Sequence, residues 1–418
     1  MLIKFNIKSE YAKNIVTLVT GTAIAQVIPI VIMPMLTRLY TPVEFGMFGM
    51  YIGIVSLLLV ISTFKYDVAI IQPKKDSDAE QLFKLSFSIS LIFNILIFLL
   101  IYSNIYYLSN ILEENYFIYF LYFIPYTVFI MSANSGLNFI MNRRKYYKQM
   151  SINKVIQGIS IVGISLLCGF LDNTMFGLLI GFVIGHTIVF LNLFYRYWNT
   201  IEKANYPRML KVASEYKDYP MYALPSGLGN TSASQMPVIL LVKVFNSSVS
   251  GYYYLVEKVL SAPISLLSGS VSSVFRQKAQ EDKHTIGNYN EIFKKTFLKL
   301  VLIGFPIFLL LGMFGQEIFA FIFGENWREA GIYAQILSPL FFFKFSISPL
   351  MSSFYISNKL AVDMIGQIIY AIMILISIYT GYMFNSILLS IGLISFCGSL
   401  FYLIFLYLAY FYSIGEVK

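Results

Sequence analysis

Read from its start, the chain alternates between long apolar runs and short polar gaps. About twelve of the runs are long enough to cross the roughly 30 Å hydrocarbon core of a bilayer as helices rising about 1.5 Å per residue. In the first half they run Ile15 to Leu36, Phe45 to Phe64, Leu85 to Tyr102, Phe117 to Met141, Ile152 to Leu171 and Met175 to Tyr195. In the second they run Met221 to Val242, Val249 to Val274, Phe297 to Gly315, Ile332 to Tyr355, Val362 to Phe384 and Ile387 to Tyr412. Leu85 to Tyr102 and Gly392 to Tyr412 carry no charged residue. Lipid must therefore be their solvent, and a lipid-exposed segment has to satisfy its own backbone as a helix. The pattern predicts an all-α polytopic membrane protein of about twelve transmembrane helices. The polar stretch Arg196 to Asp218 divides these helices six and six. The expected organisation is an N-terminal six-helix bundle over 1–200, a cytoplasmic linker over 201–218 and a C-terminal six-helix bundle over 219–418, with a central polar cavity.

Composition agrees. Hydrophobic residues make up 58% of the 418 and charged residues 12%, about half the share of a soluble domain. The charges that remain set an orientation. With the tail holding Lys4, Lys8 and Lys13 taken as cytoplasmic, cations fill alternate gaps: Lys65 to Lys84, Arg143 to Lys154, Arg196 to Lys217 and Arg276 to Lys299, then Lys359 and Lys418. Of the 30 Lys and Arg, Arg38, Lys243 and Arg328 fall outside and Lys258 and Lys344 within spans. The positive-inside rule then predicts two cytoplasmic termini. It also accounts for the +9 net charge, so no nucleic-acid partner is needed to explain it. No cleavable signal peptide is evident, and the first apolar run reads as a signal anchor.

The halves carry a faint repeat. Gly21 and Gly46 in the first are spaced much as Gly227 and Gly251 in the second, and Arg38 and Lys243 take equivalent places. Thr41-Pro42-Val43-Glu44-Phe45-Gly46 and Asn246-Ser247-Ser248-Val249-Ser250-Gly251 both read as tight turns into a helix. With both halves starting inside, the repeat would run about an axis along the membrane normal.

The first helix of each half is the least lipid-like. Thr17, Thr20, Gly21, Thr22 and Gln26 precede Pro29 and Pro34 in one; Ser226, Asn230, Thr231, Ser232, Ser234 and Gln235 crowd between prolines in the other. Such polarity fits a water-filled lumen or close packing through small residues, and the length of Gln26 and Gln235 favours a cavity. Charge within the membrane costs roughly 3 kcal/mol or more, so Glu257, Lys258 and Lys344 need a reason. Lys344 lies mid-span between Pro339 and Pro349, whereas Glu257 and Lys258 are adjacent on a helix and so diverge by about 100°. Lys65 and Asp67 bracket the inner end of the second span, and Asp363 opens the eleventh. Cys168 and Cys397 lie in apolar spans without ligand spacing, and His186 and His284 have no Asp, Glu or Cys at ligand spacing. No metal or other cofactor is expected. There is no Walker A loop, so transport is not driven by nucleotide bound here.

Thr20-Gly21-Thr22-Ala23-Ile24-Ala25-Gln26-Val27-Ile28-Pro29, then Pro34 to Gly46, and then Lys65-Tyr66-Asp67-Val68-Ala69-Ile70 with Pro73-Lys74-Lys75-Asp76, resemble the opening of bacterial polysaccharide-export flippases of the O-antigen type. Their superfamily includes multidrug and toxin extrusion transporters and the lipid II flippase. Where that family often has Arg and Glu, this chain has Lys65 and Asp67. The signs are kept, but a bidentate grip on phosphate is lost. The resemblance implies a flippase of the bacterial inner membrane, and not an enzyme. It would carry undecaprenyl-diphosphate-linked oligosaccharide to the outer leaflet for O-antigen, lipopolysaccharide, capsule or related glycan synthesis. Polymerase and chain-length machinery would be its partners. On that basis Arg38, Lys65, Lys243, Lys258 and Lys344 are expected to face diphosphate or an anionic sugar, and Gln26, Asn230 and Gln235 to contact hydroxyls. Asp67 or Glu257 is the candidate for coupling to a proton or sodium gradient. A multidrug exporter of the same superfamily would need acidic groups facing its cation, against the basic intramembrane bias. A polysaccharide polymerase or ligase would need a large outward loop, and the longest here are about Ser103 to Tyr116 and Gln316 to Gly331.

Overall fold

The computed structural model describes residues 10–105, 117–171, 174–200, 203–357 and 359–414. The expected inner anchors Lys4, Lys8 and Lys418, the outer residues Glu113 and Glu114, and the side chains of Lys13, Thr17, Thr20 and Thr22 lie outside that description. Among the described residues every regular element is helical. In chain order these are α1 Glu10–Leu39, α2 Pro42–Ser62, α3 Tyr66–Ala69, α4 Asp76–Ser103, α5 Phe117–Arg143, α6 Tyr147–Phe170, α7 Thr174–Tyr197 and α8 Tyr206–Glu215. There follow α9 Leu224–Val244, α10 Ser247–Ile286, α11 Asn290–Phe323, α12 Arg328–Ile347, α13 Ser353–Ile356, α14 Leu360–Met383 and α15 Ile387–Ile414. Among the described residues ten helices are long and apolar enough to cross a membrane, making this a multi-pass membrane protein. Two further helices carry the remaining expected spans: α9, which is less apolar than the ten, and α1, whose side chains are described over Ala23–Leu39. They are the first helices of the two halves, rich in hydroxyl, amide and proline groups.

Around an apolar core, the outer side-chain surface differs from that of a water-soluble protein. Ile92, Leu96 and Leu100 of α4 and Leu302, Ile307 and Leu310 of α11 are all more than half exposed, because lipid tails rather than protein cover them. What is buried is often small and polar. Ser90 of α4 and Ser132 of α5 share a hydrogen bond of 2.5 Å, and the Asn94 amide donates to the Ser90 carbonyl. On α7, Gly177, Gly181 and Gly185 form a flat edge. Any Cβ there would strike the Tyr40 hydroxyl and Cys168, Ser165 and the Ile161 carbonyl, or Ile161. Without a Cβ the backbones of α6 and α7 approach closely, which is how helices associate in lipid. Tyr40 locks the corner by donating to the Ser165 carbonyl at 2.6 Å.

The turns into α2 and α10 are capped. Thr41 N–H donates to the Glu44 carboxylate at 2.7 Å while Glu44 N–H donates back to the Thr41 hydroxyl, with Pro42 at the first helical position. Asn246 accepts from Val249 N–H at 2.9 Å. The repeated glycines then meet: a Cβ on Gly46 would strike the Ser247 carbonyl, and one on Gly251 the Pro42 carbonyl. Equivalent positions thus exchange partners, the signature of a local two-fold axis between the two glycines.

Three expected boundaries move. The polar stretch Arg276 to Lys295 is not an open loop: α10 continues to Ile286, Gly287 at φ 84 terminates it, and α11 begins at Asn290. The run Ile332 to Tyr355 is broken, with α12 ending at Ile347 before a 3-10 turn, Ser348–Ser352, that carries Pro349 near its start. The stretch Arg196 to Asp218 contains α8, an amphipathic helix whose Met209 and Val212 are buried.

By packing, the chain forms two compact units, one holding Met50–Thr231 together with the residues up to Tyr40, the other Thr41–Gly49 with Ser232–Lys418. Each is described by itself below.

Candidate functional site

In the second unit, two of the three charged residues expected within spans, Glu257 on α10 and Lys344 on α12, converge on one hydroxyl. Ser261, one turn after Glu257 on α10, donates to the Glu257 carboxylate at 2.9 Å. The Lys344 ammonium on α12 donates to the same Ser261 hydroxyl at 3.3 Å. A carboxylate, a hydroxyl and an ammonium thus form a relay between two helices, all of them half-buried. Lys344 also lies 5.3 Å from the Phe341 ring. Lys258 departs in another direction, as its adjacency to Glu257 requires, and its ammonium lies 5.2 Å from the Tyr254 ring, one turn earlier. A hydroxyl is the one small group able to accept from the ammonium and donate to the carboxylate at once. Ser261 was not among the expected residues. The i, i+4 spacing from Glu257 was visible in the sequence, but its position opposite Lys344 was not.

The first unit holds Asp67. Lys65 adopts a left-handed conformation, φ 63, so the chain breaks after α2 and restarts as the single turn α3. That break buries the Asp67 carboxylate, which is only 8% exposed. Its oxygens accept from Thr63 at 2.7 Å and Ser135 of α5 at 2.8 Å. The Lys65 side chain lies along α9, where a Cβ on Gly227 would crowd its Cε and Nζ. Lys65 and Asp67 therefore do not form one site: one packs on α9, the other on α5.

Behind α3 the chain is clamped. The Arg143 guanidinium donates to the Pro73 carbonyl at 2.6 Å and to the Asp76 carboxylate at 2.6 Å, with a further bond to Ile71. Arg144 pairs with Glu80 at 2.6 Å and Arg208 of α8 with Asp78 at 2.8 Å. The Gln81 amide donates to the Lys203 carbonyl and accepts from Asn205 N–H. Three arginines counted only as orientation signals thus tie α5 and α8 to the acidic start of α4. Nearby, the Tyr216 hydroxyl is pushed above the usual phenol range by burial, with neighbouring carboxylates adding to it.

The remaining expected residues are dispersed. Arg38, Asn230 and Lys243 are exposed, and Gln235, half-buried, donates to Ser234. Among the described residues, none forms a hydrogen bond with the enclosed amide oxygen of Gln26 on α1. His186, on α7, meets the Gln157 amide at 2.8 Å. Among the described residues no three His, Cys, Asp or Glu side chains are placed to hold a metal ion.

Comparison with known proteins adds the family. A family model described as a polysaccharide biosynthesis protein matches residues 35–331. The teichuronic acid biosynthesis protein TuaB of Bacillus subtilis (strain 168) is 19% identical over 274 residues, 65% of this chain and 56% of TuaB. The match thus spans little more than half the length of that curated relative. Among solved structures, the lipid II flippase MurJ in an inward closed conformation superposes with a TM-score of 0.72 at 12% identity, over 94% of this chain and 87% of MurJ. An inward-facing multidrug resistance MATE family transporter of the MOP superfamily gives 0.65 at 12% identity, over 94% and 93%. A MOP superfamily transporter from Pyrococcus furiosus Vc1 (DSM3638) gives 0.63 at 13%, over 95% and 94%. At these identities the likeness establishes a shared fold. With the family model matching most of its length, the chain is a multi-pass membrane protein that belongs to the polysaccharide biosynthesis protein family and has the MOP transporter fold.

Proposed function

We infer that this chain is a flippase which moves undecaprenyl-diphosphate-linked oligosaccharide from the cytoplasmic to the outer leaflet of the bacterial inner membrane, by alternating access of its two helical bundles. The observation that carries the reading is the relay of Lys344, Ser261 and Glu257, with Lys258 beside it, inside membrane-spanning helices of a polysaccharide biosynthesis family member. A sugar diphosphate cannot cross hydrocarbon unaided, because each hydroxyl and phosphate oxygen loses its hydrogen bonds to water. Ammonium and hydroxyl groups held at membrane depth replace them, while the lipid tail stays in lipid. Lys258 and Lys344 meet the diphosphate or an anionic sugar, with Arg38, Lys65 and Lys243 along the route. Gln26, Asn230 and Gln235 supply contacts to hydroxyls.

Lys344 held by Glu257 through Ser261 also suggests how coupling works. An incoming phosphate competes with the carboxylate for the ammonium, and a proton or sodium ion taken up by Glu257 releases Lys344 to the substrate. Asp67 is the second candidate for such coupling. No covalent bond is made or broken, so the chain is a transporter and not an enzyme. Both termini are cytoplasmic, and the delivered units pass to polymerase and chain-length machinery for O-antigen, capsule or a related glycan.

The deciding experiment is leaflet translocation of a labelled lipid-linked oligosaccharide by the purified protein in liposomes, beside extrusion of a cationic dye. Glycolipid movement without dye movement is expected. Dye movement alone would transfer the chain to drug export, and movement of neither to another role in the family.

A further inference from the structure

At one end of the second unit, a cavity of about 700 Å³ opens between the start of α10, the junction of α11 with α12, and the turn from α14 to α15. Its size falls in the roughly 300–1,000 Å³ range of small-ligand sites. Three separate features of the fold bring its lining together. The first is a kink in α11, where Phe314 leaves helical geometry and the freed Met313 carbonyl accepts from the Gln335 amide at 3.0 Å. Beside it, Gly315 and Gly331 allow the backbones of α11 and α12 to touch, since a Cβ on Gly331 would strike the Gly315 carbonyl and Gln316. Gln316 and Glu329 thereby enter the same lining. The second is Trp327, fully buried under the cavity, with its ring edge-to-face against Tyr252 at 6.0 Å. Tyr252 in turn stands edge-to-face against Tyr333 at 5.9 Å. The third is Asn385, held at φ 48 in the tight turn that aligns α15 with α14.

The chemistry is selective. Gln316, Asn326 and Asn385 carry side-chain amides, each with two donors and one acceptor, around a wall formed by Tyr252, which is backed by the fully buried Tyr333. The Arg328 guanidinium is engaged by both oxygens of Glu325, at 2.9 and 3.0 Å. Glu329 accepts from the Tyr333 hydroxyl at 3.3 Å and, among the described residues, has no salt-bridge partner. Planar amides and a carboxylate suit vicinal hydroxyls, and an aromatic wall suits the C–H face of a pyranose ring. The lining cation is already engaged and the unneutralised lining charge is negative, so an anionic ligand is disfavoured.

We propose that this cavity is a saccharide-binding site for neutral glycosyl units, hexose or N-acetylhexosamine, separate from the intramembrane lysines. It rests on the flippase reading only in its choice of ligand class. The alternating cations place both the α11–α12 junction, which the sequence alone reads as a Gln316 to Gly331 gap, and the Asn385 turn on the outer side, so the site would hold the distal sugars of a delivered oligosaccharide while its diphosphate end remains at the membrane.

The test uses the full chain in detergent and lipid-free probes: N,N′-diacetylchitobiose and cellobiose as neutral disaccharides, and a hexuronate disaccharide as the anionic one. Saturation-transfer NMR should show contact with at least one neutral probe and several-fold less with the hexuronate. Asn326 and Glu329 are exposed, so N326A and E329A should fold normally, and the double variant should lose most of the signal. As a second variant, Tyr252→Leu removes the stacking wall and should weaken the signal at least severalfold. Absence of transfer to any neutral probe, an unchanged signal in the double variant, or preference for the hexuronate would overturn the proposal. Because no lipid carrier or translocation is involved, its failure is distinct from that of the flippase reading. Loss of binding with translocation intact rejects the site alone, and intact binding without translocation rejects the flippase alone.

Discussion

Ser261 is a single hydroxyl, yet it links the two charges on α10 and α12 that most need an explanation. An interhelical hydrogen bond within a membrane contributes on average about 0.6 kcal/mol, so Ser261→Ala should unfold little of the protein. Its effect on function should be larger, because it disconnects Lys344 from Glu257. We expect S261A to reduce glycolipid translocation in liposomes at least about tenfold, equivalent to about 1.4 kcal/mol in a barrier, with thermal stability in detergent nearly unchanged. Lys344→Gln should do the same, and normal translocation by both variants would remove the relay from the transport path. Glu257, Lys258 and Lys344 stood out in the sequence because charge in an apolar run is costly. Ser261 did not, because serine is common in spans, and its role depends on which helix packs opposite.

At the scale of helices, the prediction concerns the α6–α7 contact. Gly181 faces Ser165 and the Ile161 carbonyl with no room for a Cβ, whereas Gly163 on α6 has open space where its Cβ would lie. Gly181→Leu should therefore force the helices apart, at the roughly 1–3 kcal/mol typical of overpacking, and lower the melting temperature by several degrees. Gly163→Ala should be neutral or slightly stabilising, since Ala exceeds Gly in a helix by about 0.5–1 kcal/mol. Equal melting of the two variants would show that the glycine edge does not hold this pair. Hydropathy revealed these helices because lipid demands a nearly continuous apolar run. It ended them too early where they leave the lipid: the last turns of α10, from Arg276 to Ile286, are polar at helical spacing and read as a loop. It missed the partners of Arg143, Arg144 and Arg208 on α4 because side chains more than sixty residues apart leave no periodic trace. Asp67 was noticed as a charge at a span end, but its burial follows from the left-handed Lys65, and nothing at that position in the sequence announces a positive φ.

For the whole molecule the question is orientation, and two ends are available to answer it. Asn326 and Asn385 are exposed at the end of the second unit where the alternating cations predict the outer face. Ser214 is exposed on α8, between arginine and lysine residues that the same rule places in the cytoplasm. Each replaced singly by cysteine, in a chain whose half-buried Cys168 and Cys397 are first changed to serine, should report its side to a membrane-impermeant maleimide applied to intact cells. Labelling is expected at positions 326 and 385 in intact cells, and at 214 only after the membrane is broken. The physical basis is strong: reversing the chain would carry the Lys65 to Lys84, Arg143 to Lys154, Arg196 to Lys217 and Arg276 to Lys299 clusters across the bilayer. In exchange it would return only Arg38, Lys243 and Arg328. Labelling of 214 alone in intact cells would invert the topology. It would move the amide-and-tyrosine cavity to the cytoplasmic side, where it could meet an oligosaccharide only before transport, so the same measurement decides whether that cavity acts before or after the substrate crosses.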